Sequence, residues 1–392
     1  MLPPSLRALW AKDRAALVVI GAIFAMVALN QLGSGLVATL VPVYLAREGY
    51  PASAVGTIST VFSLFFLVGC VVGPQVVSQL GPRRTLIAIG TIHGILCVLH
   101  WLVPGPVSWT LLRGVSGLIT ATYFVLLESW LGGQTSSDTR GVVFGCYMVV
   151  IRLAFGTGQL LVAMVAPSSM LLLFLLAGLA YAVTPWIQPS RSDAVPPMRR
   201  PSLSAIFDVP RKAPAAAAAV VANGCLFGTV QSLLPKWGVE AGVSVTTIAW
   251  ALVAVQCGGL VMQLPISFAS DRFERRTIMI LCVVGMAFAT FAVLHIGPAA
   301  TGALTLAMFI WGGFTSSIYT LGTAHANDLA PPNERVAWVS SLMFIWGIGA
   351  MIGPIVAALM MDNLGVATLW IYATVLAALA GVYLIWRKIV RP

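Results

Sequence analysis

Twelve apolar runs, divided by short polar or Gly/Pro-marked segments, account for most of this chain. About twenty apolar residues are what a helix needs to cross a hydrocarbon core. The runs read roughly as 15–46, 53–79, 85–103, 107–131, 140–166, 168–187, 213–237, 246–270, 277–296, 299–326, 335–361 and 364–387. An all-α membrane protein with twelve transmembrane helices is therefore predicted. Composition agrees: 59% of residues are hydrophobic and 9% charged, against roughly 25% charged in a soluble domain. The N-terminal LRALWAKDR leads into a run too long for a signal-peptide core, so that run is read as the first span.

The formal charge of +10 does not point to nucleic acid, because the basic residues fall in short loops between apolar runs. Placing both termini in the cytoplasm puts eighteen Lys and Arg inside and only Arg47 and Lys236 outside, while Arg113 and Arg152 lie within spans. The six cysteines sit inside apolar runs without metal-ligand spacing and are read as packing residues. Neither a nucleophile–base pair nor a G-x-x-x-x-G-K-[ST] loop occurs, so no enzyme, cofactor or direct ATP drive is expected.

The chain repeats itself. Ser78–Arg84 (SQLGPRR) and Asp271–Arg276, within SFASDRFERR, are charged knots between apolar runs, 193 positions apart. The same offset relates Asn30 to Asn223, Gly35 to Gly228, Pro42 to Pro235 and Gly49 to Gly242; an offset of 195 relates His100 to His295 and Arg140 to Arg335. Six crossings restore the side of the membrane, so the copies are parallel, an arrangement found among secondary transporters. The expected division is a six-helix bundle over 1–187, a Pro-rich basic cytoplasmic linker over 188–212 with a short surface helix near 202–209, and a second bundle over 213–392.

These residues resemble the major facilitator superfamily over essentially the whole length. Its loop signature, G-x-x-x-D-R-x-G-x-R-R, is matched at Asp271, Arg272 and the basic cluster ending in Arg276, with Glu274 in place of the Gly. The first copy keeps Gly81, Arg83 and Arg84 but has Ser78 and Gln79 where Asp and Arg belong. Arg113–Gly117 fits the R-x-x-x-G of span 4. Span 11 carries Gly349-x-x-x-Gly353-Pro354, akin to the antiporter signature but in the other half, so the antiporter label is not carried over. YFVLLESWL at 123–131 and TAHANDL at 323–329 are similar to a bacterial branch, the YcaD-like permeases. The resemblance implies two parallel six-helix repeats rocking around a cavity lined by spans 1, 4, 7 and 10. It also implies a monomer, and a latch in which Asp271 meets the start of span 5, near Arg140, with Arg272, Arg276, Arg83 and Arg84 around it. Ser78 supplies no matching charge, so that latch is expected to be lopsided.

Charges within spans ask for a reason. Glu128, near the cytoplasmic end of span 4, reads either as a group that binds and releases a proton or as one that snorkels to water. His325, whose repeat partner is Trp130, could face it across the inner mouth, with Asp328 beside it. Arg113 reads as tuning proton coupling or holding an anion, by resemblance. Arg152, mid-span 5, reads as a substrate ligand or a brace. The polar side chains gather in spans 1, 4, 7 and 10; Asn30, Gln31, Tyr123, Asn223, Gln231, Trp311, Ser316 and Tyr319 join Arg152 as cavity candidates. The expectation is a proton-coupled carrier of a small neutral or amphipathic solute in the bacterial inner membrane, in contact with lipid and not with nucleic acid. An uncoupled facilitator and a non-transporting receptor or scaffold are the alternatives.

Overall fold

The computed structural model describes residues 14–164, 169–187, 203–297, 299–331 and 334–390, omitting the side chains of 14, 15, 137, 138, 203–207 and 336. Thirteen α-helices are found among them. These are α1 Arg14–Arg47, α2 Ala52–Leu80, α3 Pro82–Leu102, α4 Pro106–Gly133, α5 Ser137–Met164, α6 Met170–Val183, α7 Leu203–Lys212, α8 Pro214–Glu240, α9 Val245–Arg272, α10 Arg275–Val293, α11 Thr301–Leu329, α12 Arg335–Leu364 and α13 Thr368–Val390. Eleven are long and apolar enough to cross a membrane, and α6 with its 3₁₀ turn at Thr184–Trp186 forms a shorter apolar helix. No strand occurs among the described residues. The chain is an all-α, multi-pass membrane protein, as its apolar runs predict. The expected surface helix is α7; the rest of the expected linker, 188–202, lies outside the described residues.

By internal packing, the described residues form two units. The first holds 14–37, 65–104 and 114–187; the second holds 38–64, 105–113 and everything from 203 onward. Helices α1, α2 and α4 are thus each shared between the units.

The repeat appears in how the helices approach one another. In the first unit, α1 and α5 touch backbone to backbone: a Cβ on Gly35 would strike the Phe155 carbonyl, and one on Gly158 the Leu32 carbonyl. In the second unit, a Cβ on Gly353 of α12 would strike the Cys225 carbonyl of α8. The last two contacts correspond at the repeat offsets. Without a hydrophobic drive between helices in lipid, such small-residue seams carry the packing. The turns after α1 and α8 match as well, Gly49 and Gly242 adopting φ of 74° and 75°, a conformation that glycine alone enters without strain.

Candidate functional site

In the first unit, polar side chains gather on the inner faces of α1, α4 and α5. Glu128 is half-buried on α4, within electrostatic range of Tyr147 and Cys70. Tyr147 is fully buried, its ring centroid 6.3 Å from that of Phe24 and 6.1 Å from that of Phe144, and its hydroxyl has no hydrogen-bond partner. Tyr123 is fully buried beside Thr184 and Tyr181. Asn30 is 1% exposed with an unpartnered Oδ1, and Gln31 is buried beside it. Arg152 is half-buried on α5. A polar chain runs sideways from here: the Ser34 hydroxyl bonds the Tyr181 hydroxyl at 3.0 Å, Tyr181 stacks on His93 at 4.3 Å, and His93 Nε2 is 3.3 Å from Thr120 Oγ1. His93 is thus held between the Tyr181 ring and the Thr120 hydroxyl.

In the second unit, Asn223 bridges three helices. Its Nδ2 donates to the Thr315 carbonyl at 2.7 Å and to Thr315 Oγ1 at 2.8 Å, while Trp346 Nε1 donates to its Oδ1 at 2.9 Å. Farther along, Gln231 Oε1, Trp311 Nε1 and Ser316 Oγ are buried without partners. Tyr319 packs against the apolar cluster that includes Trp338 and Leu342. His325 is 8% exposed, one turn before the exposed Asp328.

The SDRFERR loop is an ionic cluster. Arg275 pairs with Asp271 at 3.2 Å and with Asp328 at 2.7 Å, joining the end of α9 to the end of α11. Glu274, standing where the superfamily has Gly, pairs with Lys388 of α13 at 2.7 Å and accepts from Thr277 at 2.9 Å. These bonds hold the Glu274 carboxyl below the ordinary glutamate range, chiefly through the Lys388 hydrogen bond. The side chain of Asp271 is 63% exposed. Arg272 is exposed and Arg276 half-buried; in the first unit Arg83, Arg84 and Arg140 are exposed, with Arg140 Nε 3.5 Å from Thr135 Oγ1.

A second set of charges was not legible as functional in the sequence. Lys236, read there as a residue beyond the membrane, lies within α8, which runs on to Glu240, and its side chain is 1% exposed. It pairs with Glu240 at 2.6 Å and donates to the Tyr50 carbonyl. Nearby in the same unit, Asp362 of α12 accepts from the backbone N–H groups of Ala52 and Ser53 at 2.6 and 2.9 Å, capping the start of α2. Thr60 Oγ1 bonds the Met351 carbonyl at 2.7 Å, and a Cβ on Gly56 would meet Ala358 and Pro354. Arg113 lies over the Phe62 ring at 4.2 Å, a cation–π contact. A carboxylate on a helix N-terminus is favoured by the free amides and the dipole there. The available signals were the i,i+4 spacing of Lys236 and Glu240 and an acidic residue, Asp362, closing span 11.

Comparisons with known proteins agree on one family. The family model described as Major Facilitator Superfamily matches residues 23–244 and 216–392. The chain is 28% identical to the uncharacterized MFS-type transporter YE1530 of Yersinia enterocolitica and 26% identical to the uncharacterized MFS-type transporter YcaD of Escherichia coli, with 88% of this chain and 89% of each relative covered. Among solved structures it is similar to a mutant of the nucleoside transporter NupG, at TM-score 0.79 and 13% identity, covering 94% of this chain and 99% of the other. It is likewise similar to a bacterial homologue of the human lysosomal transporter Spinster, inward-facing and occupied, at TM-score 0.78 and 14% identity, covering 96% and 98%. With the helix count, the paired repeats and the loop signature already in place, the chain belongs to the Major Facilitator Superfamily and is a membrane transporter, not an enzyme.

Proposed function

We propose that this protein moves a small neutral or amphipathic solute across the bacterial inner membrane by alternating access, with proton coupling through Glu128. The supporting observation is the set of buried, partnerless polar atoms on membrane helices: Asn30 Oδ1, Gln231 Oε1, Trp311 Nε1 and Ser316 Oγ. A buried hydrogen-bonding atom without a partner costs about 1–3 kcal/mol, so a fold that keeps several has a use for them. A polar solute passing along these helices supplies partners in turn. In this reading, domains 1–187 and 213–392 are the moving bodies around the 188–212 linker, and both termini are cytoplasmic. Asp271, Arg275 and Asp328 stiffen the inner loop, while Asp362 and Lys236 fasten the outer ends. Glu128 is the only carboxylate within a span of the first bundle, near its cytoplasmic end, which favours it as the proton carrier, with His325, Asp328 and Arg113 tuning the inner and outer mouths.

The test is transport in proteoliposomes loaded with a pH-sensitive dye, using solutes selected by thermal stabilisation of the purified protein. Uptake that collapses with a protonophore, and a pH profile that flattens in Glu128→Gln, are expected. An unchanged pH profile in that variant removes Glu128 from coupling. Stabilising ligands that never cross the bilayer overturn transport itself.

A further inference from the structure

The two repeats carry the same side chains at their polar centres and wire them differently. At the offsets that the Gly158–Leu32 and Gly353–Cys225 seams obey, Asn30 corresponds to Asn223, Thr120 to Thr315, Ile151 to Trp346 and His93 to Phe288. In the second unit the Asn223 amide is saturated from both ends, by Trp346 at its oxygen and by Thr315 at its nitrogen. In the first unit both side-chain partners are gone. Ile151, which cannot donate, stands in the place of the tryptophan. The Thr120 hydroxyl is drawn to His93, a residue the second repeat replaces with Phe288. The Asn30 oxygen is left buried and bare.

Position sharpens the contrast. Asn30 stands halfway along the 34-residue α1, and transporters of this repeat architecture bind their solutes near the bilayer midplane. The cost of an empty acceptor there is avoidable, since leucine would fill the space. We propose that Asn30 is a specificity-determining ligand for the solute, reading an uncharged edge in which an N–H lies beside a carbonyl or ring acceptor, as in a carboxamide, lactam or nucleobase. Asn223, its repeat counterpart, is a brace. An asparagine amide matches such an edge with one donor and one acceptor side by side, the geometry by which Asn reads adenine. Since Asn30 is closed off in this state, the helices around it part before the solute docks. The inference rests on the transporter reading above and adds the chemistry of what is carried.

Thermal unfolding of the full-length protein in detergent tests it in two arms. Without ligand, Asn30→Leu is expected to unfold no earlier than wild type, whereas Asn223→Leu, which strands Trp346 and Thr315, falls by about 2 °C or more. An Asn30→Leu variant that loses as much as Asn223→Leu makes Asn30 a brace too and overturns the proposal. In the second arm, uracil and nicotinamide are titrated against their N-methylated forms, dimethyluracil and N,N-dimethylnicotinamide, which lack the donor. Stabilisation by the parent compounds, weakened about tenfold or more by N-methylation or by Asn30→Leu, is the expected result. Equal stabilisation by parent and methylated probes, or none by either parent, overturns the assigned class. If proteoliposome uptake of an accepted solute survives Asn30→Leu unchanged, the transporter reading stands and this inference falls alone.

Discussion

Replacing Asp362 with Asn removes one charge from the contact that seats the start of α2 on α12. The carboxylate accepts from two backbone amides, at 2.6 and 2.9 Å; the amide side chain keeps one acceptor and turns a donor towards the second N–H. A hydrogen bond to a charged group contributes about 1.5–3 kcal/mol, and the anion at the helix N-terminus adds about 0.3–1 kcal/mol. Because the Ser53 bond is exposed, the lower end applies, and about 2 kcal/mol is lost. That is a factor of about 30 in any equilibrium between this contact made and broken. The assay is a pulsed electron spin resonance distance between labels at Glu48 and Asn363, both exposed, in a chain whose six cysteines have been replaced. A longer-distance population should grow in Asp362→Asn and grow further in Asp362→Ala. If both variants reproduce the wild-type distribution, the contact is static packing and the fastening role proposed for Asp362 fails.

Two further outcomes follow from contacts described above. Gly353→Ala sets a methyl against the Cys225 backbone, which cannot rotate away; a loss of about 1–3 kcal/mol should appear as earlier unfolding, while Gly145→Ala, with open space around it, should unfold no earlier than wild type. Glu274 has a folded-state pKa below its unfolded one, so its contribution is full above the unfolded value of ~4.3 and fades as pH falls through the lower folded value. With both partners substantially exposed the effect is at most about 1 kcal/mol: unfolding of wild type and Glu274→Gln should differ at neutral pH and converge in acid, and a constant difference would contradict it.

Much of the architecture was legible because the membrane permits few solutions. Apolar runs of spanning length and a repeat at 193 dictated helices, their number and their parallel halves. The cysteines were read less well: Cys97 and Cys282 are buried, but Cys146, inside an apolar run, is exposed. The site was harder. Asn30 and Asn223 are identical letters at matching positions, and the residues at the corresponding partner positions, Ile151 against Trp346, differ in whether they can donate to the amide oxygen. Those partners lie more than a hundred residues away and meet only through helix packing. Lys236 misled for a different reason: a lysine near a span end normally reaches water, and nothing local says that Tyr50 closes over it. Span 6 also reads longer in sequence than its helix, because Pro185 sits in the 3₁₀ turn that ends it.

The pairing of Lys236 with Glu240 bears on how the protein is made. Both lie on α8, one turn apart, so the ion pair needs no other helix to form. A lone lysine in a membrane segment costs up to about 2.5–3.5 kcal/mol at mid-bilayer during insertion from the translocon, and less towards the ends. A segment that carries its own counter-ion can enter lipid partly neutralised before its neighbours arrive. The Tyr50 carbonyl is then added at assembly, when Lys236 is covered while Glu240 stays partly exposed. Span 7 opens the second repeat, and this self-contained neutralisation lets that repeat begin inserting without waiting on the first.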